Sequence, residues 1–362
     1  LDVNLVRHVF LARSEESSST LSTRTFEGKN HMIIDDNAHT TIRIRGGGLR
    51  RVDSAADEPY NFDAAAIDPP RLDPRYSLSL KSLGQLERLA KARFILSQET
   101  PDFDPSGLDR SNPESARSII RSVFASSEIE GEGVAAEYVE AFVTAHTEPG
   151  EHVDQELELR LRQQGDIIET YWWALEQRLD PVVSYDFVLE AHRRMFANTR
   201  PEIAGRIKER DVDIKWSKGD GTVAAVPTIP ATRAEPFLRA LCERTSRQFK
   251  LAEKYAEAPM LLAAAEFLCD YLAIHPFSDG NGRTARLLST YLLERGGYHF
   301  TKVYPLDEVV LEWRADYYET LNRSQRSWHT PDEDLSPWIK FFVDAVFEQW
   351  ERSLRKIRKE SA

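Results

Sequence analysis

Apolar residues recur at helical spacing along most of the chain from Tyr76 onward, and this pattern limits the possible folds more than any other feature. In the range 79–96 one helical face is apolar and carries Leu80, Leu83, Leu86, Leu89 and Ala90. The same spacing predicts nine further helices, over the ranges 113–126, 135–145, 153–179, 184–196, 231–249, 256–274, 283–296, 305–321 and 335–357. The sequence therefore predicts an all-α fold, a helical bundle formed by a single domain over residues 76–362.

Two regions depart from helical spacing. Residues 212–229 contain Gly219-Asp220-Gly221 at their centre and predict one β-hairpin between helices. Residues 1–75 form an N-terminal extension, in which residues 41–45 alternate with period two and are predicted to pair with residues 32–34 as a short hairpin, or else to be poorly ordered. Prolines at positions 69, 70 and 74 mark the boundary of this extension.

The charge balance argues against one class of partner. The formal net charge is −12, from 59 acidic and 47 basic side chains. Binding to a phosphate backbone needs a field of the opposite sign, so we expect no nucleic-acid partner. A monomer and a homodimer both remain open.

The cysteines and the hydropathy pattern are the sequence features that bear on the cellular compartment. Cys242 and Cys269 both lie in apolar helical patterns and form no redox pair, which is typical of a reducing cytoplasm. We recognise no signal peptide at the N-terminus. The most apolar stretch, residues 260–277, is interrupted by Glu266 and Asp270, which predicts a buried helix and no contact with a membrane.

The residues with chemical potential lie together in one short segment. The sequence His-Pro-Phe-Ser-Asp-Gly-Asn-Gly-Arg-Thr-Ala-Arg occupies positions 275–286, between two predicted helices. Pro276 cannot continue the first helix, and the glycines beside Asn281 allow a tight turn whose N–H groups bind anions. The second helix is expected to begin at Gly282 or Arg283, with its first N–H groups directed at the loop.

Two arginines in this segment break a rule of helix stability. Arg283 and Arg286 lie in the first turn of a helix, where the macrodipole disfavours a cation by ~0.3–1 kcal/mol. They share one face and can bind a di- or triphosphate. Asp279 adds a carboxylate suited to Mg²⁺, and His275 adds a base that titrates near neutrality. A purely structural turn would explain each feature singly, whereas the set favours phosphoryl or nucleotidyl transfer.

The segment matches H-x-F-x-[DE]-G-N-G-R-x-x-R at every specified position and thereby resembles the Fic (Fido) family. The resemblance implies a Fic-fold helical bundle, with a core over about 184–346, that transfers AMP from ATP to a Ser, Thr or Tyr hydroxyl. It implies that His275 deprotonates the acceptor and that Asp279 binds Mg²⁺. The implied nucleotide site comprises Asp279, Gly280, Asn281, Gly282, Arg283, Thr284, Ala285 and Arg286. Gly282 favours nucleotidyl transfer, because related kinases carry lysine there.

A second resemblance lies upstream of this segment. Ser126-Ser-Glu-Ile-Glu130-Gly131 resembles the inhibitory motif [ST]-x-x-x-E-[GN] of one class of Fic proteins. By this resemblance, a helix over about 113–131 inhibits the enzyme because Glu130 pairs with Arg286 and occupies the place of a γ-phosphate. Without the downstream segment, Glu130 would be an ordinary glutamate at a helix end.

Weaker resemblances concern the edges of the site. Thr222, Val223, Ala224 and Ala225 resemble a flap that binds an extended target segment by strand addition, although a structural hairpin explains them equally well. Tyr317 and Tyr318 resemble an aromatic pair beside the adenine. Neighbouring helical residues point in different directions, so we expect one tyrosine to touch the nucleotide and the other to lie in the core.

Three functional hypotheses remain open from the sequence. The first is an AMP-transferase that modifies a target protein or itself and is held inactive by Glu130. The second keeps the same fold but transfers another phosphate-containing group, or removes AMP from the target. The third, from a different class, is a non-catalytic module that binds nucleotide for regulation, against which the intact His275 argues.

Overall fold

A computed structural model of the chain describes residues 41–43, 75–99, 108–135, 138, 155–217, 223–255, 260–328, 330 and 332–360. The predicted helix over 135–145 lies outside these residues except at two positions. The predicted turn at Gly219-Asp220-Gly221, flap residue Thr222, residues 32–34 and the proline-rich boundary also lie outside them.

The described residues form ten α-helices, so the all-α prediction is confirmed. They are α1 (Leu80–Glu99), α2 (Pro113–Ile129), α3 (Gln155–Glu176), α4 (Tyr185–Phe196), α5 (Ala231–Tyr255), α6 (Met260–Ile274), α7 (Asn281–Arg295), α8 (Leu306–Glu312), α9 (Arg314–Gln325) and α10 (Ser336–Glu360). A 3₁₀ turn, His299–Lys302, follows α7. Helix α7 begins at Asn281, slightly earlier than predicted, because left-handed Gly280 already caps it.

Helices α6 and α7 form the centre of the bundle. Every residue of α6 is buried, and α5, α7 and α10 pack around it. Its two acidic residues have buried polar partners, as an interior position requires. Glu266 accepts a hydrogen bond from Tyr76 Oη at 2.8 Å, and Asp270 pairs with Arg244 and accepts from Trp328 Nε1 at 2.7 Å. No helix within the described ranges has the length and hydropathy that a bilayer crossing requires.

Helix α2 is anchored at both the start and the middle. Asn112 caps it by accepting from the N–H groups of its first turn, at 2.9 and 3.0 Å. Further along, Ser118 Oγ donates to the Thr301 carbonyl at 2.7 Å, and Arg121 Nε donates to Glu308 at 2.6 Å. These contacts bring the C-terminal end of α2 to the N-terminal end of α7.

The predicted hairpin near residue 220 is present as two antiparallel strands, β3 (Asp213–Ser217) and β4 (Val223–Pro227), with Asp213 opposite Pro227. Strand β1 (Thr41–Arg43) pairs antiparallel with β2 (Ser77–Ser79). The predicted pairing partner, residues 32–34, lies outside the described residues, so that pairing stays a prediction. A period-two pattern indicates a strand but does not identify its partner, because any exposed edge offers the same backbone groups.

One predicted helix is two helices in the structure. The expected helix over 305–321 breaks at Trp313, whose φ of −100° and ψ of 29° lie outside the helical region. The ring of Trp313 packs edge-on against Phe341 of α10, with 6.3 Å between ring centroids. Tertiary packing of this side chain therefore redirects the chain, which helical periodicity alone could not reveal.

Candidate active site

The side-chain amide of Asn281 closes the loop between α6 and α7 through two hydrogen bonds. Asn281 Oδ1 accepts from the Phe277 N–H at 3.0 Å, and Asn281 Nδ2 donates to the Phe277 carbonyl at 2.8 Å. Phe277 is fully buried and forms a β-bridge with Ile207. The side chain of Asn281 is therefore committed to the loop, which leaves backbone N–H groups to meet a ligand here.

Two glycines allow close approach around this loop. Gly280 has a φ of 76°, and a Cβ there would lie 2.4 Å from the Phe196 ring. At Gly282 a Cβ would lie 2.0 Å from Oε1 of Glu130. Glycine at position 282 thus lets the Glu130 carboxylate reach the N-terminus of α7.

His275 is partly buried at the end of α6, with a φ of 49° that non-glycine residues seldom adopt. Its Nδ1 lies 3.3 Å from the Leu272 carbonyl. That contact assigns the proton to Nδ1 and leaves a lone pair on Nε2. Burial, and then the charge of Lys208, lower the pKa of His275 to about 4. The imidazole is therefore neutral at pH 7 and can accept a proton.

Arg286 points inward toward the end of α2. Its Nε donates to Ser126 Oγ at 2.7 Å, and its Nη2 donates to the Ser126 carbonyl at 2.9 Å and to Glu130 Oε1 at 2.6 Å. Asp307 lies 3.7 Å away. Nη1 is buried without a hydrogen-bond partner among the described residues. One donor of the guanidinium is thus still available to an acceptor.

Arg283 is equally buried and meets a different carboxylate. Its Nη1 donates to Glu132 Oε2 at 2.5 Å, and its guanidinium carbon lies 4.9 Å from the centre of the Phe196 ring. Asp279 lies farther away, at 3.8 Å. The Nε of Arg283 is buried and has no hydrogen-bond partner in the described ranges. Both arginines therefore point toward the same region, and both are occupied by glutamates.

Asp279 lies at the open side of the loop. It pairs with Arg200, and its Oδ1 accepts from the Gly280 N–H at 2.5 Å. Burial raises its pKa, but the Gly280 N–H and the charges of Arg283 and Arg200 outweigh burial and lower it. The carboxylate is therefore ionised at neutral pH.

The fit of Mg²⁺ follows from this donor set. The described residues contain no cluster of three or more His, Cys, Asp or Glu side chains that could hold a metal alone. Mg²⁺ commonly binds one or two carboxylates together with phosphate oxygens and water. The Asp279 side chain is 44% exposed, so it fits a metal that arrives with a nucleotide.

The two predicted aromatic residues both lie near Arg286, on α9. Tyr317 is buried and packs edge-on against Trp338, with 5.7 Å between centroids. Tyr318 is partly exposed, and its hydroxyl donates to the Ile129 carbonyl at 3.3 Å. The more exposed Tyr318 is thus the better placed of the two to meet a ligand.

The predicted flap residues lie on β4, where Val223, Ala224 and Ala225 pair with Ser217, Trp216 and Lys215 of β3. Within the described ranges this sheet has two strands. Either outer edge has the backbone groups needed to accept a further strand.

Sequence reasoning missed four side chains that contact the site. His192 stacks on Phe277 with 3.7 Å between centroids, accepts from the Gly205 N–H at 3.0 Å and donates from Nε2 to the Asp279 carbonyl at 3.0 Å. The other three residues are Arg200, Lys208 and Glu132. No local pattern in the sequence singled out any of the four, because each reaches the loop from another segment of the chain.

The central helices of the chain are similar to those of known proteins. The Fic/DOC family model matches residues 182–293, which include α4 to α6, the loop and most of α7. The chain contains a Fic/DOC family domain. A protein adenylyltransferase Fic from Nematostella vectensis is 30% identical over 165 residues, which are 44% of this chain and 31% of that protein. Another from Culex quinquefasciatus is 25% identical over 302 residues, which are 81% of this chain and 54% of that protein.

Solved structures show the same fold. A Fic family protein from Desulfovibrio desulfuricans has a TM-score of 0.58 and 23% identity, covering 80% of this chain and 77% of its own. A fragment of Fic-1 from C. elegans has a TM-score of 0.53 and 19% identity, covering 77% and 74%. The chain spans about a third to a half of the two curated relatives described above.

Proposed function

We propose that this Fic protein transfers AMP from ATP to a hydroxyl of a protein. The observation that carries the proposal is the neutral His275 beside a helix N-terminus on which two buried guanidinium groups converge. A base next to a polyphosphate site is what nucleotidyl transfer requires, whereas nucleotide binding alone has no use for the base. The relatives described as protein adenylyltransferases support the same reaction.

The positions of the side chains support the following mechanism. His275 Nε2 accepts the proton of the target hydroxyl, and the hydroxyl oxygen attacks the α-phosphorus. The bond from that phosphorus to the bridging α–β oxygen breaks, and pyrophosphate leaves with the electron pair. Arg283 and Arg286, with the first N–H groups of α7, would bind the β and γ phosphates. Asp279 would hold Mg²⁺, which neutralises phosphate charge when it is bound.

The acceptor would be an extended segment of a target protein, or of the chain itself. Such a segment would pair with the outer edge of β4, next to the predicted flap residues 222–225, through backbone hydrogen bonds. Strand pairing accepts many sequences, so the hairpin would orient a hydroxyl without choosing among Ser, Thr and Tyr.

We further propose that the protein is inhibited in the conformation observed here. Glu130 binds the Arg286 donor that a γ-phosphate would need, and Ser126 binds the same guanidinium from the other side. The left-handed Gly131 ends α2 immediately afterwards, so that Glu130 stays at the helix end.

The reaction can be tested with ATP labelled at either the α or the γ phosphorus. The labelled ATP is incubated with the Glu130→Gly variant, from which the proposed inhibition is removed, either with a lysate or alone. We expect label in protein from α-labelled ATP only, with a mass increase of one AMP on tryptic peptides. Transfer of the γ label would indicate a kinase, and no transfer despite ATP binding would indicate a binding module. Release of AMP from modified protein would indicate the reverse reaction.

A further inference from the structure

Lys208 is a buried cation that the mechanism above does not use. Its side chain is 4% exposed and lies between the β3–β4 hairpin and the end of α6. A buried ammonium group is costly unless it has specific partners. The position of Lys208 therefore needs an explanation in terms of what it holds.

Lys208 binds the backbone on both sides of His275. Its Nζ donates to the Ile274 carbonyl at 3.2 Å, and its N–H donates to the Pro276 carbonyl at 2.9 Å. His275 lies between these two points with its φ of 49°. A left-handed residue persists only where its surroundings hold it, and Lys208 supplies two of those bonds.

The same ammonium group reaches the base of the hairpin. Lys208 Nζ donates to Thr228 Oγ1 at 2.7 Å, and that hydroxyl donates to the Val212 carbonyl at 2.6 Å. Val212 precedes β3 and Thr228 follows β4, so both ends of the hairpin meet at Lys208. The proposed target-binding strand and the proposed base are thus connected through one side chain.

We propose that Lys208 is a positioning residue that fixes the His275 imidazole relative to the hairpin. This inference rests on the proposed function. It assigns to Lys208 no contact with the substrate or with the reacting atoms.

The charged groups around His275 predict in which direction the loss of Lys208 would shift the pKa of His275. Burial and the Lys208 charge lower the pKa of His275, and the carboxylates of Glu130 and Asp279 raise it. Burial also lowers the pKa of Lys208 to about 8, against the opposing effect of Asp211 and Asp213. Lys208 is thus mostly protonated at pH 7, and its removal should raise the pKa of His275.

The test compares Lys208→Met with the conservative Lys208→Arg. We expect Lys208→Met to raise the pKa of His275 by about one pH unit. The titration is followed by NMR of labelled histidine, and the His275 signal is assigned as the one that His275→Ala removes. Lys208→Arg should leave the pKa of His275 within a few tenths of a unit. An unchanged pKa of His275 in a folded Lys208→Met variant would overturn the inference. The inference would also be overturned if Lys208→Met changed neither the melting temperature nor kcat.

Kinetics in a Glu130→Gly background separate positioning from stability. We expect Met to lower kcat about tenfold or more with a small change in KM for ATP, because a misplaced base slows the chemical step alone. Failure of Glu130→Gly to transfer AMP would count against the proposed function, whereas the titration would still decide the role of Lys208.

A second inference rests on a different observation, the turn after α2. The Gly131 N–H donates to the Glu128 carbonyl at 3.0 Å, and the Glu132 N–H donates to the Ser127 carbonyl at 2.9 Å. With left-handed Gly131 these bonds form a Schellman motif. The motif turns the chain back, so that Glu132 returns to the same helix end as Glu130.

Two helix ends therefore meet with charges that each helix alone disfavours. Glu130 and Glu132 lie at the negative end of α2, and Arg283 and Arg286 lie at the positive end of α7. Glu132 binds Arg283 at 2.5 Å, as Glu130 binds Arg286 at 2.6 Å. Each acid offsets one arginine.

We infer that Glu132 is a second inhibitory carboxylate, which blocks Arg283 while Glu130 blocks Arg286. This inference also rests on the proposed function. It implies that loss of Glu130 alone leaves half of the phosphate site occupied.

Calorimetry with ATP and Mg²⁺ tests this on four variants: Glu130→Gly, Glu132→Ala, both together, and Glu128→Ala. Glu128 is exposed on the same segment and serves as the matched control. We expect the double variant to bind ATP about three- to tenfold more tightly than Glu130→Gly, and Glu128→Ala to match the wild type.

Equal affinity of the double variant and Glu130→Gly would overturn the role of Glu132 while leaving the proposed function intact. Absence of ATP binding in every variant would instead count against the proposed function. Glu132→Gln, which keeps the size of the side chain, replaces Glu132→Ala if the latter melts early.

Discussion

Replacing His275 with alanine is expected to reduce AMP transfer by about 100-fold or more, the usual contribution of a general base. The structure gives the reason. Nδ1 faces the Leu272 carbonyl, which leaves Nε2 as the lone pair able to accept the hydroxyl proton, and burial keeps the ring neutral. The measurement is the initial rate of α-label incorporation at saturating ATP.

The control for this prediction is His275→Asn. Asparagine tolerates the left-handed conformation of His275 better than alanine, so it separates the loss of the base from any relaxation of the backbone. Both variants should bind ATP and melt as the wild type does within a few degrees. A rate in either variant above about a tenth of the original would remove His275 from the role of base.

Replacing Glu130 with glycine is expected to increase AMP transfer by about tenfold or more. The change frees an Nη2 donor of Arg286 and removes a carboxylate that lies against Gly282. If the site can bind ATP productively in only a small fraction of molecules, its apparent affinity for ATP is reduced by that fraction. Removing the inhibitory carboxylate therefore raises the rate at a fixed ATP concentration. The same α-label assay measures the gain.

Two further variants make this result specific. Glu128→Ala is the matched control, because Glu128 lies on the same helix end as Glu130. It should leave the rate unchanged, because the Glu128 side chain is exposed. Adding His275→Ala to Glu130→Gly should abolish the gain if it arises at this site. A rate in Glu130→Gly equal to that of the wild type, with the protein folded and ATP bound, would contradict inhibition by Glu130.

Much of the architecture followed from local patterns. Helical spacing located the helices that the structure describes, and Pro276 with the following glycines located the loop between α6 and α7. Where prediction failed, contacts between distant segments decided the outcome. Trp313 breaks a predicted helix because it packs on Phe341.

Residue types and their spacing along one stretch of chain determined that a base, a carboxylate and two arginines would share a loop at the start of α7. The start of a helix brings these groups together independently of the rest of the fold, because the repeat of 3.6 residues per turn determines which side chains share a helix face. Only the tertiary structure decided what faces them. Glu132 and Lys208 reach Arg283 and the backbone around His275 from other segments, and no local periodicity encodes which surfaces meet when helices pack.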